Sequence, residues 1–413
     1  MNCESASERA AEAKRNGIVI YTPYASFDKC PTLQSCAAFL VQRGYKVAVF
    51  SHSDAKTTAP VGTTLVDLGS LRLGNPHAST FLRLAYMYWR ILNSVRLGAR
   101  FRAIIAVDAA GLVHTWLLRR IIGARLVYCS LELLLHADLT GFKLRLLKFL
   151  ETAISRRAVG TIVQDKGRGG LLARENGIPL CNMIYIPNAP LGRPRRRRSE
   201  YWHRRFGLSS DKKIVLHAGN IDAWTGILEV ISSTPLWPEP WVLVVHCHHE
   251  RAEDSDEIRR LRACGDPRRV FFSLKPVDRG ELETLFDGAD VGAAIYDAMP
   301  DTVYASTNIS CIGLSSGKMA YYLRAGVPII TNKNNSVASL IEETGCGLAV
   351  KCIAEDFGAA LSVIDDHLAG FSKRACEAFS SHFDPDAGLK CLLAKIGETD
   401  QSAGNHKGAG FRS

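Results

Sequence analysis

The sequence predicts an α/β protein of two Rossmann-like, doubly wound domains facing each other across a central cleft. Three observations lead there. Short apolar, β-branched runs alternate along the chain with stretches of helical period. The alternation halts once, in a Pro- and Arg-rich stretch, and then restarts. At 413 residues the chain has room for two domains of roughly 100–200 residues each.

Taken in order, residues 1–16 are polar and expected to be flexible, and the first domain spans 17–190. It opens with a strand over 17–22, a loop through Pro23 to Pro31, a helix over about 32–43 stopped by Gly44, and a strand over 45–51. Strand, helix and strand in that order make a βαβ unit of a parallel sheet. The pattern returns with strands at 103–108, 125–130, 160–164 and 183–186 and a helix through 115–122. Residues 191–211, Arg-rich and poor in apolar side chains at their start, read as a linker. The second domain, 212–371, carries strands at 213–218, 241–245, 270–272, 291–295, 328–331 and 347–350, with helices at 278–286 and 318–325. A helical segment over 372–396 closes the fold, and the polar, Gly-rich tail over 397–413 reads as disordered. Two such halves place a ligand crevice at the carboxyl ends of both sheets.

Composition is that of an ordinary globular protein, with 47% hydrophobic and 22% charged residues. The net charge of +10 favours anionic partners: nucleotide phosphates, acidic lipid headgroups or nucleic acid. Twelve cysteines at irregular spacings, with no CxxC pair, read as reduced thiols of a reducing compartment. The N-terminus lacks the apolar core of a signal peptide. No apolar run approaches the ~20 residues needed to span a bilayer. The expectation is a cytoplasmic protein, soluble or peripheral on a membrane.

The sharpest local signal is the run from Ser315 through Ser316, Gly317 and Lys318 to Gly326 and Pro328. Ser315 or Ser316 is a helix N-cap, Gly326 ends the helix and Pro328 opens the next strand. Unpaired amides and the positive end of the helix dipole make such an N-terminus an anion site. Gly317 admits close approach of an oxygen, and Lys318 adds a full charge. Ordinary capping with one solvated lysine is the competing reading. A second loop, Gly219-Asn220-Ile221, follows the strand at 213–218, and its glycine also permits close approach to a diphosphate.

With these residues in view, the second half resembles the nucleotide-sugar domain of retaining glycosyltransferases of the GT-B fold, close to glycosyltransferase family 4. The likeness rests on the Ser315–Ile330 run, on Gly219-Asn220-Ile221, on Ile186-Pro187-Asn188 and on Ala289-Asp290-Val291-Gly292. The resemblance implies a nucleotide-diphosphate sugar as donor, with no permanently bound cofactor. It implies that Ser315, Ser316, Gly317 and Lys318 hold the diphosphate and that Gly219 and Asn220 approach from the other loop. Ser273, Leu274, Lys275 and Pro276 would contact the base through backbone groups, and Asn308 the sugar or a phosphate. Two positions depart from the family pattern: Gly313 and Tyr321 stand where it usually has glutamates, the second on the ribose. The basic pair expected around the Gly219 loop is replaced by the neighbourhood of Ile221 and Trp224.

Glycosyl transfer needs the growing charge of the leaving diphosphate stabilised, and Lys318 with its helix N-terminus suits that task without a metal. The aspartate pairs Asp254/Asp256 and Asp384/Asp386 lie in polar stretches and read as surface. His246, Cys247, His248 and His249 follow one strand without a partner cluster, which argues against a metal site. The first domain is expected to hold the acceptor, with Tyr24, Ser26 and Asp28, then Asp108, Gly111 and His114, then Glu132 and His136 on strand-end segments. Asp108, His114 and Lys318 are the catalytic candidates, with Asp108 the first choice in this domain. Helix capping, or satisfaction of a buried polar group, is the competing reading for the first two.

Basic amphipathic helices near 81–102 and 142–157 carry apolar stripes flanked by arginines, the form of a monotopic contact with an anionic membrane, although such stripes also pack on sheets. A glycan or lipid-linked acceptor would follow from membrane contact. The run Arg193-Pro194-Arg195-Arg196-Arg197-Arg198 stands without aromatic stacking partners, so nucleic acid is not expected. A sugar-nucleotide epimerase and a non-catalytic nucleotide-binding subunit are the competing functions. A nicotinamide dehydrogenase is disfavoured, because no GxGxxG follows the first strand.

Overall fold

The structure, a computed structural model, describes residues 16–52, 59–71, 76–297, 305–333 and 335–397. The first half runs β1 (Gly17–Ser26), α1 (Pro31–Gln42), β2 (Lys46–His52), β3 (Thr63–Asp67), α2 (Pro76–Arg96), β4 (Phe101–Val107), α3 (Asp108–Ile122), β5 (Arg125–Cys129), α4 (Gly141–Ser155), β6 (Gly160–Val163), α5 (Lys166–Asn176) and β7 (Met183–Tyr185). The chain continues through α6 (Tyr201–Phe206) into β8 (Lys213–Gly219), α7 (Ile227–Ser233), β9 (Trp241–Cys247), α8 (Asp256–Cys264), β10 (Val270–Ser273), α9 (Arg279–Asp287) and β11 (Val291–Ala293). It ends with α10 (Ala305–Ser310), α11 (Gly317–Arg324), β12 (Ile329–Asn332), α12 (Ser336–Thr344), β13 (Gly347–Val350), α13 (Ile353–Asp366), α14 (Leu368–His382) and α15 (Asp386–Gly397).

Two parallel sheets result, in the orders β3-β2-β1-β4-β5-β6-β7 and β10-β9-β8-β11-β12-β13. Each reverses direction beside its first strand, between β1 and β4 and between β8 and β11, which opens a crevice at the carboxyl ends there. The central strands are buried on both faces, as the Ile-Val-Leu runs require. On the first sheet α2, α3, α4 and α5 cover one face, while α1 covers the other. The last helix, α15, also lies on that second face, where Leu389, Leu392 and Ile396 join the first domain's core. The chain thus joins the two domains twice, through the stretch before β8 and again through α15.

Several sequence expectations shift. The basic helix expected near 81–102 is α2, which ends at Arg96. Gly98 takes a φ of +93°, and the chain from Phe101 is β4. Arg100 therefore lies off the helix. The Arg-rich stretch before β8 contains α6, whose Trp202 is fully buried in the second domain's core. Three of its arginines form ion pairs, Arg195 with Glu283, Arg196 with Asp290 and Arg204 with Glu200. The expected aspartate pairs serve helix starts: Asp256 pairs with Arg259, and Asp384 accepts from the Asp386 amide.

Candidate functional site

The carboxyl ends of the two sheets meet across a cleft of about 590 Å³. The first domain contributes Lys29 after β1, Asp108 after β4, Glu132 after β5, Gln164 after β6 and Arg168 from α5. The second contributes Trp224 after β8, Tyr296 after β11, and Ser315 to Lys318 at the start of α11.

The α11 corner is built as an anion cradle. Ser316 caps the helix, its Oγ accepting from the Met319 amide at 3.2 Å and bonding to the Tyr296 hydroxyl. The amides of Gly317 and Lys318 find no acceptor among the described residues, as expected of a first helical turn. The Lys318 Nζ is buried without a hydrogen-bond partner, 5.0 Å from the centre of the Tyr296 ring. The ring face attracts the ammonium. Burial nonetheless pulls its pKa down to about 7, and no carboxylate among the described residues offsets that cost.

Across from it, Gly219 takes a φ of +133°, and a Cβ built there would stand 3.8 Å from the Lys318 Cε. The two glycine-containing loops singled out in the sequence therefore meet. Beneath them His217 is fully buried, with its Nε2 donating to the Asn220 carbonyl at 2.8 Å. Burial, followed by the charge of Lys318, drives its pKa down to about 3, so the imidazole is neutral.

Segment 305–316 of the second domain latches onto the first. The Asn308 side chain accepts from the Leu133 amide at 2.8 Å and donates to the Leu133 carbonyl at 2.9 Å. It also accepts from Arg168 at 3.0 Å. Asp165 caps α5 and accepts from the Leu314 amide at 3.2 Å. Asn188 donates to the Ser315 carbonyl at 3.1 Å and accepts from Thr32. Asn308, expected on the sugar or a phosphate, lines the cleft with its amide engaged in this way. Gly313, which stands where the resemblance leads to a glutamate, has a φ of +39°, and a Cβ there would stand 2.6 Å from an Asp165 carboxylate oxygen.

Asp108 opens α3 with a φ of +56° and lines the cleft. Its Oδ1 accepts from the Leu131 and Glu132 amides at 2.8 and 3.0 Å. Burial outweighs these bonds and raises its pKa to about 7. His114 sits outside the cleft lining, its Nδ1 3.1 Å from the Tyr21 hydroxyl, with its pKa lowered by burial. Gly111 packs against Pro23, and His136 pairs with Glu175, also away from the cleft lining. The side chains of Tyr24, Ser26 and Asp28 lie outside the described residues.

The remaining donor candidates sit elsewhere. Ser273 bonds to His246 at 3.0 Å and Leu274 joins the core, while Lys275 and Pro276 are exposed beyond the cleft lining. Tyr321 turns away from the cleft and stacks on Phe286 at 4.9 Å. His249 reaches Lys29 across the domains. Among the described residues no cluster of His, Cys, Asp and Glu has the form of a metal site. Lys29, Gln164, Arg168 and Tyr296 went unnoticed in the sequence; only their places just after strands could have marked them.

No protein-family model and no curated protein sequence matches the chain. Solved structures do. Sucrose-phosphate synthase from Thermosynechococcus elongatus is 17% identical, covers 92% of this chain and 98% of its own, and superposes with a TM-score of 0.65. Anabaena HepE, solved with UDP and glucose, is 14% identical over 93% of this chain and all of its own, with a TM-score of 0.67. A putative UDP-N-acetylglucosamine 2-epimerase from Listeria monocytogenes is 12% identical over 94% and 98%, with a TM-score of 0.60. At these identities the likeness is one of fold. The chain has the GT-B-like arrangement of two Rossmann-like domains about a cleft.

Proposed function

We propose that this chain transfers a sugar from a nucleoside-diphosphate donor to an acceptor hydroxyl. One observation carries the reading: a buried ammonium without a counter-ion among the described residues, Lys318, faces the Gly219 turn at a helix N-terminus in an interdomain cleft. A diphosphate supplies the missing charge. As the bond from the sugar to the leaving diphosphate breaks, negative charge grows on the oxygen held there. Lys318 and the Gly317 and Lys318 amides stabilise it with dipoles already in place. In this reading the reaction needs no metal, and retention of configuration is the outcome the family resemblance suggests. Asp108 accepts the acceptor's proton, since its Oδ1 alone is engaged and its raised pKa suits proton transfer near neutrality.

The acceptor side is proposed to rest on an anionic bilayer, which suits a lipid-linked or membrane-borne glycan. Helices α2, α3 and α4 lie side by side and expose Phe81, Trp89, Leu117, Ile121, Phe142 and Phe149. Their only carboxylates are Asp108, which lines the cleft, and Glu151, buried against Lys148. No described helix is long and apolar enough to cross a membrane.

A thermal-shift screen of nucleoside diphosphates tests the donor site. The correct nucleotide at 100 times its Kd stabilises by about 2.7 kcal/mol, and Lys318→Ala removes most of that shift. Stabilisation by none of the nucleotides, or an undiminished shift in Lys318→Ala, overturns the reading. Product analysis then separates transfer from isomerisation of the donor, and turnover in a chelator tests metal independence.

A further inference from the structure

The cradle around Lys318 brings three further titratable groups together. From β8 comes His217, whose Nδ1 is buried without a partner. From the segment after β11 comes the Tyr296 ring beneath the ammonium, and from the segment after β9 comes His248, which feels the charge of Lys318. None of these is an anion. Across the cleft, the first domain presents Lys29, Asp108, Glu132 and Arg168. The side of the cleft that grips the ligand thus holds a buried amine that no carboxylate among the described residues balances.

Building on the proposed donor site, we propose that binding of a nucleotide sugar is coupled to uptake of one proton from solvent by Lys318. The empty cradle destabilises the ammonium. A diphosphate placed against it supplies the counter-charge and draws the proton onto Nζ. His217 does not compete for that proton, because a proton on its Nδ1 would be buried without an acceptor and beside the charge of Lys318. The coupling makes the cleft a proton-linked anion site. Affinity is flat below neutral pH, then falls as pH rises until the bound amine itself loses its proton.

Titration calorimetry with a panel of intact nucleoside-diphosphate hexoses, run in buffers of differing ionisation enthalpy, reads the proton count directly. Nucleotide sugars are used because their phosphodiesters do not titrate in this range. With the amine near pH 7 in the empty protein, wild type takes up about half a proton at pH ~7 and close to one at pH ~8. Lys318→Arg, charged throughout, binds with the uptake abolished, and Lys318→Met binds at least about tenfold more weakly with none. Binding by wild type with no dependence on buffer sinks this inference and leaves the donor site standing. Uptake that survives in Lys318→Arg also overturns it and assigns the proton to another group of the cleft, such as Asp108 or Glu132. Failure of every nucleotide sugar to bind overturns the donor site itself.

Discussion

At the scale of single residues, Asp108 shows how a site and a fold compete. Its backbone takes a left-handed φ of +56°, unusual for any residue but Gly, Asn or Asp, and its Oδ1 anchors the loop after β5 by two amides. Burial raises its folded pKa to about 7 against an ordinary value of 3.8. The sign follows: the folded state holds the proton more tightly, so ionisation costs stability. The cost appears as pH rises from about 4 and is complete above about 7. Asp108→Asn keeps the acceptor oxygen and the tolerated backbone but cannot ionise. Its melting temperature should therefore exceed that of wild type by a few degrees at pH ~8, with the advantage vanishing near pH ~4. Sugar transfer should fall by about 100-fold with donor affinity retained. A melting difference independent of pH would show that the carboxyl is not buried in the folded protein.

Among the elements, the latch of segment 305–316 leaves no room for a glutamate at position 313. Gly313→Glu is expected to destabilise rather than restore anything. The φ of +39° disfavours a side chain, and its Cβ meets Asp165, a carboxylate already holding the Leu314 amide. A loss of about 1–3 kcal/mol in denaturant unfolding is expected, and Asp165→Ala should recover part of it in a double-mutant cycle. An additive cycle would rule out the Asp165 contact as the cause. The latch was not legible in the sequence, because Asn308 and Leu133 are 175 residues apart and their pairing has no local signature. The sheets and the Ser316–Lys318 corner were legible, since hydrophobic period and capping chemistry are local properties. Strand β3 escaped notice because Thr63–Asp67 is short and, at the sheet's edge, has only Val66 fully buried. Helix α6 was hidden by its arginines, although Trp202 anchors it. Tyr321 was misplaced because a position counted along a helix does not say which way it faces, and here Phe286 claims it.

For the whole molecule, the net charge of +10 is not spread evenly. Across α2, α3 and α4, Arg83, Arg90, Arg96, Arg119, Arg120, Lys143 and Arg145, with Arg157 just beyond α4, have no carboxylate partner among the described residues. Arg119, Arg120 and Arg157 crowd around Trp116, and the pKa of Arg119 is lowered by burial and by its two like-charged neighbours. Held this close, they repel one another, and an anionic surface relieves that repulsion. The exposed rings of Phe81, Trp89, Phe142 and Phe149 can enter the headgroup layer beside them. In vesicle sedimentation the protein should bind bilayers containing phosphatidylglycerol and not pure phosphatidylcholine. Binding should weaken at least about tenfold between 0.1 and 0.5 M salt as the Debye length shrinks. Replacing Trp89, Phe142 and Phe149 together by Ser should weaken it further while leaving nucleotide binding intact, since none of the three lines the cleft. Equal binding to neutral and anionic vesicles, or none to either, would return these helices to the plain role of covering the first sheet. The acceptor would then have to reach the cleft from solution.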